Sequence, residues 1–331
     1  MRPFLRLHYK STALSTAGKD DHILHPVLGS ENPARNAGFG RLLFFQPPVR
    51  LISRFGLWAS TEVFSPGRLF VETTGMAGLV SYIGGKNRLA TPIIAIFPEH
   101  TTYVEPFAGG AQVFFRKTPS RVEVLNDLDG ELVNLYRCAQ QHYQELIRYF
   151  RYTLVSREWF DLLKRSEPET LTDIQRAARY LYILRNSFAS LVANPVYHRN
   201  VIQPPGFNLE NLPELLENAH QRLQRVQIES KPYEEIVRRF DRPTTLFYCD
   251  PPYWGRKLYR HNFGEADFEK LAVVLRKIRG KFILSLNDVP EVRKLFGNFH
   301  IQEVELHYTS QKQAGRRYKE VLITNFKPKA S

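Results

Sequence analysis

The sequence predicts an α/β fold built on an open, doubly wound sheet. Three stretches carry that prediction. Thr102-Tyr103-Val104-Glu105-Pro106-Phe107-Ala108-Gly109-Gly110-Ala111 reads as a strand, a glycine turn and the start of a helix. Arg121-Val122-Glu123-Val124-Leu125 reads as a second strand, closing on Asn126-Asp127. Thr245-Leu246-Phe247-Tyr248-Cys249 is an apolar run closed by Asp250-Pro251-Pro252-Tyr253. Short apolar runs bounded by turn residues are the pattern of buried strands. Two successive prolines cannot continue a ladder, so the third strand must stop at Asp250.

Size and charge narrow the class. The chain has 331 residues, 43% of them apolar, which is room for one large domain or two small ones. Its formal net charge of +13 favours an anionic partner, nucleic acid before a membrane surface. Cys138 and Cys249 are distant and make neither a disulfide framework nor a zinc site, which fits a reducing cytoplasm. There is no apolar run of about 18 residues, so no membrane span is expected. Neither a Ser/His/Asp triad nor a metal-ligand spacing stands out, and no metal is expected.

Taken in order, residues 1–75 are rich in Gly, Pro, Ser and Arg without a sustained period, and read as an extension with little fold of its own. Met76 would then be the natural start. The competing reading is a basic DNA-contacting arm, with nine Lys and Arg against five acids. In Tyr82-Ile83-Gly84-Gly85-Lys86 two glycines allow close approach to a ligand and Lys86 supplies a cation, although the same residues also make a plain turn. A helix is expected over 87–97, ended at Pro98. After the glycine turn, an acid closing the second strand is placed to accept from ribose hydroxyls. Asp127 fits that role; Asp127 or Asp129 could instead cap one helix running from Glu131 to Phe150.

From 151 to 240 the chain reads as a mainly helical insert, with helices at 157–165, 172–188 and 209–225 and a returning helix from Lys231 to Phe240. A long polar, aromatic loop, 194–208, offers Arg199 and Asn200 to bases and phosphates, or is an irregular surface loop. Beyond Tyr253, the cations Arg256, Lys257 and Arg260 alternate with Trp254, Tyr259 and Phe263, which suits a phosphate-and-base surface or ordinary aromatic packing. A helix over 265–279, a strand at 281–286 closing on Asn287-Asp288, and a short helix at 290–296 follow. Two closing strands, 299–308 and 318–326, flank a basic loop holding Lys312, Arg316 and Arg317.

Strand ends of open α/β sheets are where ligands bind. The Asp250 carboxylate and the Pro251 carbonyl can both accept from an exocyclic amine, since proline offers an acceptor and no donor. Pro252 stiffens the turn, and the ring of Tyr253 can stack on a planar base. Those are the requirements for gripping the amino group of an unstacked adenine or cytosine.

The order of these motifs over 79–327 resembles the Dam-like DNA adenine-N6 methyltransferases, in particular their phage and prophage relatives. The resemblance rests on Tyr82 to Lys86, Glu105 to Gly110, Asn126-Asp127, Asp250 to Tyr253, Ile283 to Asp288 and Lys319-Glu320-Val321-Leu322-Ile323-Thr324-Asn325-Phe326. It does not reach residues 1–75, and it is loose over 186–208, where the Arg-rich segment used by the best-known members to read GATC is not evident. It implies a Rossmann-like, mixed seven-stranded sheet with one late antiparallel strand, an inserted target-recognition region, and S-adenosylmethionine (AdoMet) as donor. It implies that Tyr82, Gly85, Lys86, Glu105, Phe107, Gly109, Gly110, Asp127 and Asp250 surround the cofactor, and that Asp250, Pro251, Pro252 and Tyr253 hold the target base. Arg199, Asn200, Arg256, Lys257, Arg260, Lys312, Arg316 and Arg317 are the candidate contacts to double-stranded DNA. A cytoplasmic monomer of bacterial or phage origin is expected, with a cognate restriction enzyme as one conceivable partner. Cytosine-N4 methylation, RNA or protein-amide methylation, and a DNA-binding relative without catalysis are the alternatives; an acid rather than a serine at position 250 favours adenine.

Overall fold

The computed structural model describes residues 78–80, 86, 89–188, 194–198, 207–307 and 317–328, with backbone alone for 305–307 and 317–318. Residues 1–75 and the expectations placed on them lie outside the described residues, as do Tyr82, Gly85, Arg199, Asn200, Lys312, Arg316 and the side chain of Arg317.

Seven strands form one sheet: β1 (Thr102–Glu105), β2 (Val122–Asn126), β3 (Val226–Glu229), β4 (Thr245–Cys249), β5 (Lys281–Asn287), β6 (His300–His307) and β7 (Arg317–Thr324), in the order β3-β2-β1-β4-β5-β7-β6. β1 to β5 run parallel, while β7 is antiparallel to both β5 and β6. The helices are α1 (Ala90–Ala95), α2 (Gln112–Arg116), α3 (Gly130–Gln141), α4 (Tyr143–Phe150), α5 (Arg157–Arg165), α6 (Asp173–Asn186), α7 (Leu212–Leu223), α8 (Tyr233–Phe240), α9 (Glu265–Arg276) and α10 (Pro290–Leu295). None of them is long and apolar enough to cross a membrane.

Strand alternation explains the three layers. Successive side chains point to opposite faces. Tyr103, Leu125, Leu246, Tyr248 and Ile283 therefore enter one core with α1 to α7. Val104, Val124, Phe247, Cys249, Phe282 and Leu284 enter the other with α8 to α10. A strand buried on both faces has no polar side, which is why β4 reads as an apolar run and β5 as one interrupted only by Ser285.

Four expectations need correction. First, Val226–Glu229 forms β3 beside β2 within the span assigned to the insert. The chain therefore re-enters the sheet at Val226, and α8 packs into the second core, so the helical insert ends before 226 rather than at 240. Second, α6 and α7 share their core with α3 and the sheet; among the described residues the insert has no separate core. Third, the helix expected from Glu131 to Phe150 is two. His142 leaves helical geometry (φ −131°, ψ 31°), and Tyr143 stacks on His220 of α7 with ring centroids 4.3 Å apart. Packing on α7 thus outweighs local propensity. Fourth, α1 is shorter than 87–97, with backbone N–H groups of Leu89 and Ala90 both donating to the Lys86 carbonyl.

Candidate active site

The chain leaves β1 for β2 and β3 on one side, and reaches β4 and β5 on the other. The switch point of this sheet is therefore the crevice between the C-terminal ends of β1 and β4, where α/β folds bind ligands. Glu105 to Gly110 leave one of those ends and Asp250 leaves the other, and they line a single cavity with Lys86, Asp127 and Pro252.

Backbone bonds build the glycine turn. The Ala108 N–H donates to the Asn126 carbonyl at 2.8 Å, and the Asn126 amide holds the Pro106 carbonyl at 2.8 Å. Gly109 (φ 47°) and Ala111 (φ 47°) both take left-handed geometry. Such geometry is costly for the alanine and free for the glycine. Gly78 closes the turn from behind. A Cβ on it would stand 2.7 Å from the Gly110 carbonyl oxygen and 2.6 Å from Gln112 Nε2. Gln112 in turn donates to the Val80 carbonyl at 2.8 Å, which ties residues 78–80 to α2.

The question of which acid caps α3 is answered by geometry. Asp129 is the N-cap, accepting from the Glu131 N–H and from Tyr180 Oη at 2.7 Å. Asp127 faces the cavity, its two oxygens accepting from the Gly109 N–H and the Asp129 N–H, each at 2.9 Å. Burial pushes its carboxyl up to about 6, against the opposing pull of those two backbone donors. Glu105 is buried and accepts on Oε1 from Tyr103 Oη (2.7 Å) and the Phe114 N–H (2.9 Å). Burial outweighs both bonds and raises its carboxyl to about 8, so it is mostly neutral at pH 7.

Asp250 and Tyr253 meet around Lys86. Lys86 Nζ lies 2.8 Å from Asp250 Oδ1 and donates to Tyr253 Oη at 2.7 Å. Tyr253 Oη donates to Glu320 Oε1 at 2.6 Å, and Lys86 Nζ lies 3.6 Å from Glu320 Oε2. Burial alone would lower the ammonium, but Asp250, Tyr253 and Glu320 hold it well above its ordinary value. For Asp250 burial dominates and raises the carboxyl to about 6, with Lys86 pulling it down and Glu320 pushing it up. Pro251 is buried, and Asn287 fixes the loop by accepting from the Trp254 N–H at 2.9 Å.

A family model of the D12 class N6 adenine-specific DNA methyltransferases matches residues 82–310. The chain belongs to this family. It is similar to the Type II methyltransferase M1.LlaDCHI of Lactococcus lactis subsp. cremoris, 28% identical over 270 residues, covering 74% of this chain and 94% of that protein. The Type II methyltransferase M.CviBI of Paramecium bursaria Chlorella virus NC1A is 25% identical over 263 residues, covering 76% and 98%. The DNA N-6-adenine-methyltransferase of Escherichia phage P1 is 26% identical over 237 residues, covering 66% of this chain and 31% of that longer protein. The substrate of a D12-class enzyme is DNA, the product N6-methyladenine, and the methyl donor AdoMet.

The cavity fits such a donor. Among the described residues the buried hydroxyls of Tyr233 and Tyr248, both in its wall, have no hydrogen-bond partner. Each is thus an unsatisfied donor on a residue of the cavity wall. Phe107, tilted on Tyr233 at 5.1 Å and edge-on to Phe263 at 5.7 Å, supplies an aromatic wall. The expected base-binding surface after Tyr253 is corrected in part. Trp254 packs on Phe268 at 4.7 Å and belongs to the core side, whereas Phe263, between Phe107 and Phe268, also lines the cavity. Arg260 lies in the cavity wall, its guanidinium 3.3 Å from Asp129 and 5.6 Å from the Tyr180 ring. Arg256 and Lys257 are exposed. Sequence reasoning assigned no role to Tyr233, Tyr248 or Glu320. An acid opening the apolar run Val321-Leu322-Ile323 was the available signal for the last.

Proposed function

We propose that the chain is a site-specific adenine DNA methyltransferase whose base-holding groups are Asp250, the Pro251 carbonyl and Tyr253, and whose donor-holding groups are Gly109, Gly110, Asp127 and Phe107. The observation that carries this reading is that Asp250 and the Gly109–Gly110 turn share one cavity at the switch point of the sheet. Bound AdoMet supplies an electrophilic methyl group.

The chain's part is acceptance, positioning and exclusion of water. The adenine amino group is a poor nucleophile because its lone pair is delocalised into the ring. Two acceptors, the Asp250 carboxylate and the Pro251 carbonyl, draw its hydrogens toward themselves, expose the lone pair and favour the positive charge that develops. Extruding the base costs a few kcal/mol, which stacking on the Tyr253 ring offsets in part. Lys86 holds Asp250 ionised and Tyr253 in place. Asp127 accepts from ribose hydroxyls while its bond to the Gly109 N–H keeps the glycine turn in register. Lys86 is proposed to approach the methionine end, and Tyr82 and Gly85 are carried over as further AdoMet-binding residues on the resemblance alone. Glu105 supports the turn through Tyr103 and Phe114.

Arg256 and Lys257 are proposed as phosphate contacts, joined by Arg199, Asn200, Lys312, Arg316 and Arg317. The helical span up to 225 is proposed to read the target sequence, and the enzyme to act as a monomer. Expression in a host free of DNA methylation, followed by genome-wide mapping of modified bases, tests the reading. N6-methyladenine at one recurrent sequence supports it. N4-methylcytosine, or no modification by a folded protein that binds AdoMet, overturns it.

A further inference from the structure

Glu320 lies outside the region matched by the family model, on the antiparallel strand β7, yet its buried side chain reaches Tyr253 and the cation beside Asp250. Oε1 accepts from Tyr253 Oη at 2.6 Å. Oε2 accepts from Ser285 Oγ at 3.3 Å and lies 3.6 Å from Lys86 Nζ. β7 pairs with β5 at Ser285↔Leu322 and Asn287↔Glu320, so the carboxylate is fixed to the strand whose Asn287 holds the Trp254 backbone. A carboxylate is costly to bury unless it is paired, and this one has three partners on three separate segments. Its partners are the cation beside Asp250 and the hydroxyl of the proposed stacking ring.

We propose that Glu320 is a positioning residue for methyl transfer, fixing the face of Tyr253 through its hydroxyl and serving as a second counter-ion for Lys86 when an incoming amine engages Asp250. This rests on the reading of Asp250 and Tyr253 given above. Lys86 is bonded to Asp250 Oδ1, so an amine that engages this carboxylate competes with the ammonium for it. A carboxylate 3.6 Å from the ammonium lets Lys86 loosen from Asp250 without becoming an unpaired buried charge. The hydroxyl of Tyr253, bonded at once to Lys86 and Glu320, locks the ring while this happens.

The groups facing Asp250 are Lys86, Tyr253 and Tyr259, Tyr248 and Cys249 on β4, Glu105 at the end of β1, and Glu320 on β7. Of these Glu320 pushes the Asp250 carboxyl up, so removing its charge moves the acid limb of kcat/KM to lower pH. That shift reports the charge of Glu320, while the fall in kcat and its non-multiplicative combination with Tyr253→Phe report the positioning.

The test is Glu320→Gln in the full chain, with kcat, the pH profile, AdoMet affinity and thermal unfolding measured together. The expected result is a fall in kcat of up to about 100-fold, the cost of a misplaced reacting group. The acid limb shifts to lower pH and AdoMet affinity stays within about threefold. Combined with Tyr253→Phe, the two losses give less than their product. A kcat within about twofold of the parent with an unmoved acid limb, or strict multiplication of the two losses, overturns the proposal. If Glu320→Gln does not fold, Ser285→Ala decides. It removes one anchor without a charge, so kcat should drop several-fold with the acid limb in place, and unchanged kcat overturns the proposal. Asp250→Ala run alongside separates the two levels. Normal turnover there sinks the site reading itself, whereas an inactive Asp250→Ala beside a normal Glu320→Gln sinks only this inference.

Discussion

Replacing Asp250 by Asn keeps the shape and one acceptor but removes the charge. At 2.8 Å from Lys86 the carboxylate contributes a gross Coulomb attraction of about 6 kcal/mol at an effective dielectric near 20. Glu320, at 3.6 Å, contributes about 5 kcal/mol on the same basis and remains. Stripping one partner from an isolated buried pair costs about 3–5 kcal/mol. Here the cation keeps a counter-ion, and Asp250 loses its own desolvation cost, so the net loss should be nearer 1–2 kcal/mol, a few degrees in Tm. Turnover should suffer far more, because the charge is needed where positive charge develops. Loss of one aligned electrostatic group in a transition state costs about 100- to 1,000-fold, or roughly 3–4 kcal/mol. Single-turnover transfer of labelled methyl to DNA reads the chemical step, and calorimetry with AdoMet reads binding. A variant within about tenfold of the parent rate, folded and saturated with both ligands, refutes the assignment of Asp250.

The remaining expectations are simpler. Because Asp250 titrates near 6, kcat/KM should fall as pH drops through about 6, read from a rate profile between pH 5 and 8. Stability should move the other way. Asp127, Asp250 and Glu105 all have folded values above their unfolded ones, so the folded chain binds more protons in that window. The three groups should therefore cost stability as pH rises from about 4 to 8, visible in denaturant midpoints. Glu105→Gln keeps an acceptor at Oε1 for Tyr103 and Phe114 and cannot ionise, so it should be more stable than the parent above pH 8. Gly78→Ala drives a methyl against the Gly110 carbonyl and should cost about 1–3 kcal/mol while weakening AdoMet binding, measured by unfolding and calorimetry. Tyr253→Phe should retain more activity than Tyr253→Ala, since it keeps the ring, yet fall below the parent because Glu320 loses its donor.

What was legible in the sequence follows from how far apart the cooperating residues lie. β1, β2, β4 and β5 are central strands buried on both faces, so their apolar runs are local signals. β3 is a four-residue edge strand, Val226-Gln227-Ile228-Glu229, whose half-polar alternation sits between two helices and resembles a turn. The break between α3 and α4 has no Gly or Pro to announce it; it comes from the stacking of Tyr143 on His220, 77 residues later in the chain.

The same distinction divides the site. The Asp250 turn and the Gly109–Gly110 turn are each written in consecutive residues, because each is one strand end. Their juxtaposition then follows from topology, since β1 and β4 are neighbours. The electrostatics are different in kind. Lys86, Tyr253 and Glu320 are separated by 167 and 67 residues, and no spacing rule joins them. What joins them is the late strand β7, inserted antiparallel between β5 and β6. Alternation there sends Glu320 inward. A parallel strand entering from the opposite end would carry a different register past β5. In this fold the antiparallel strand thus does more than close the sheet: it delivers a second carboxylate to the cation that already serves the first.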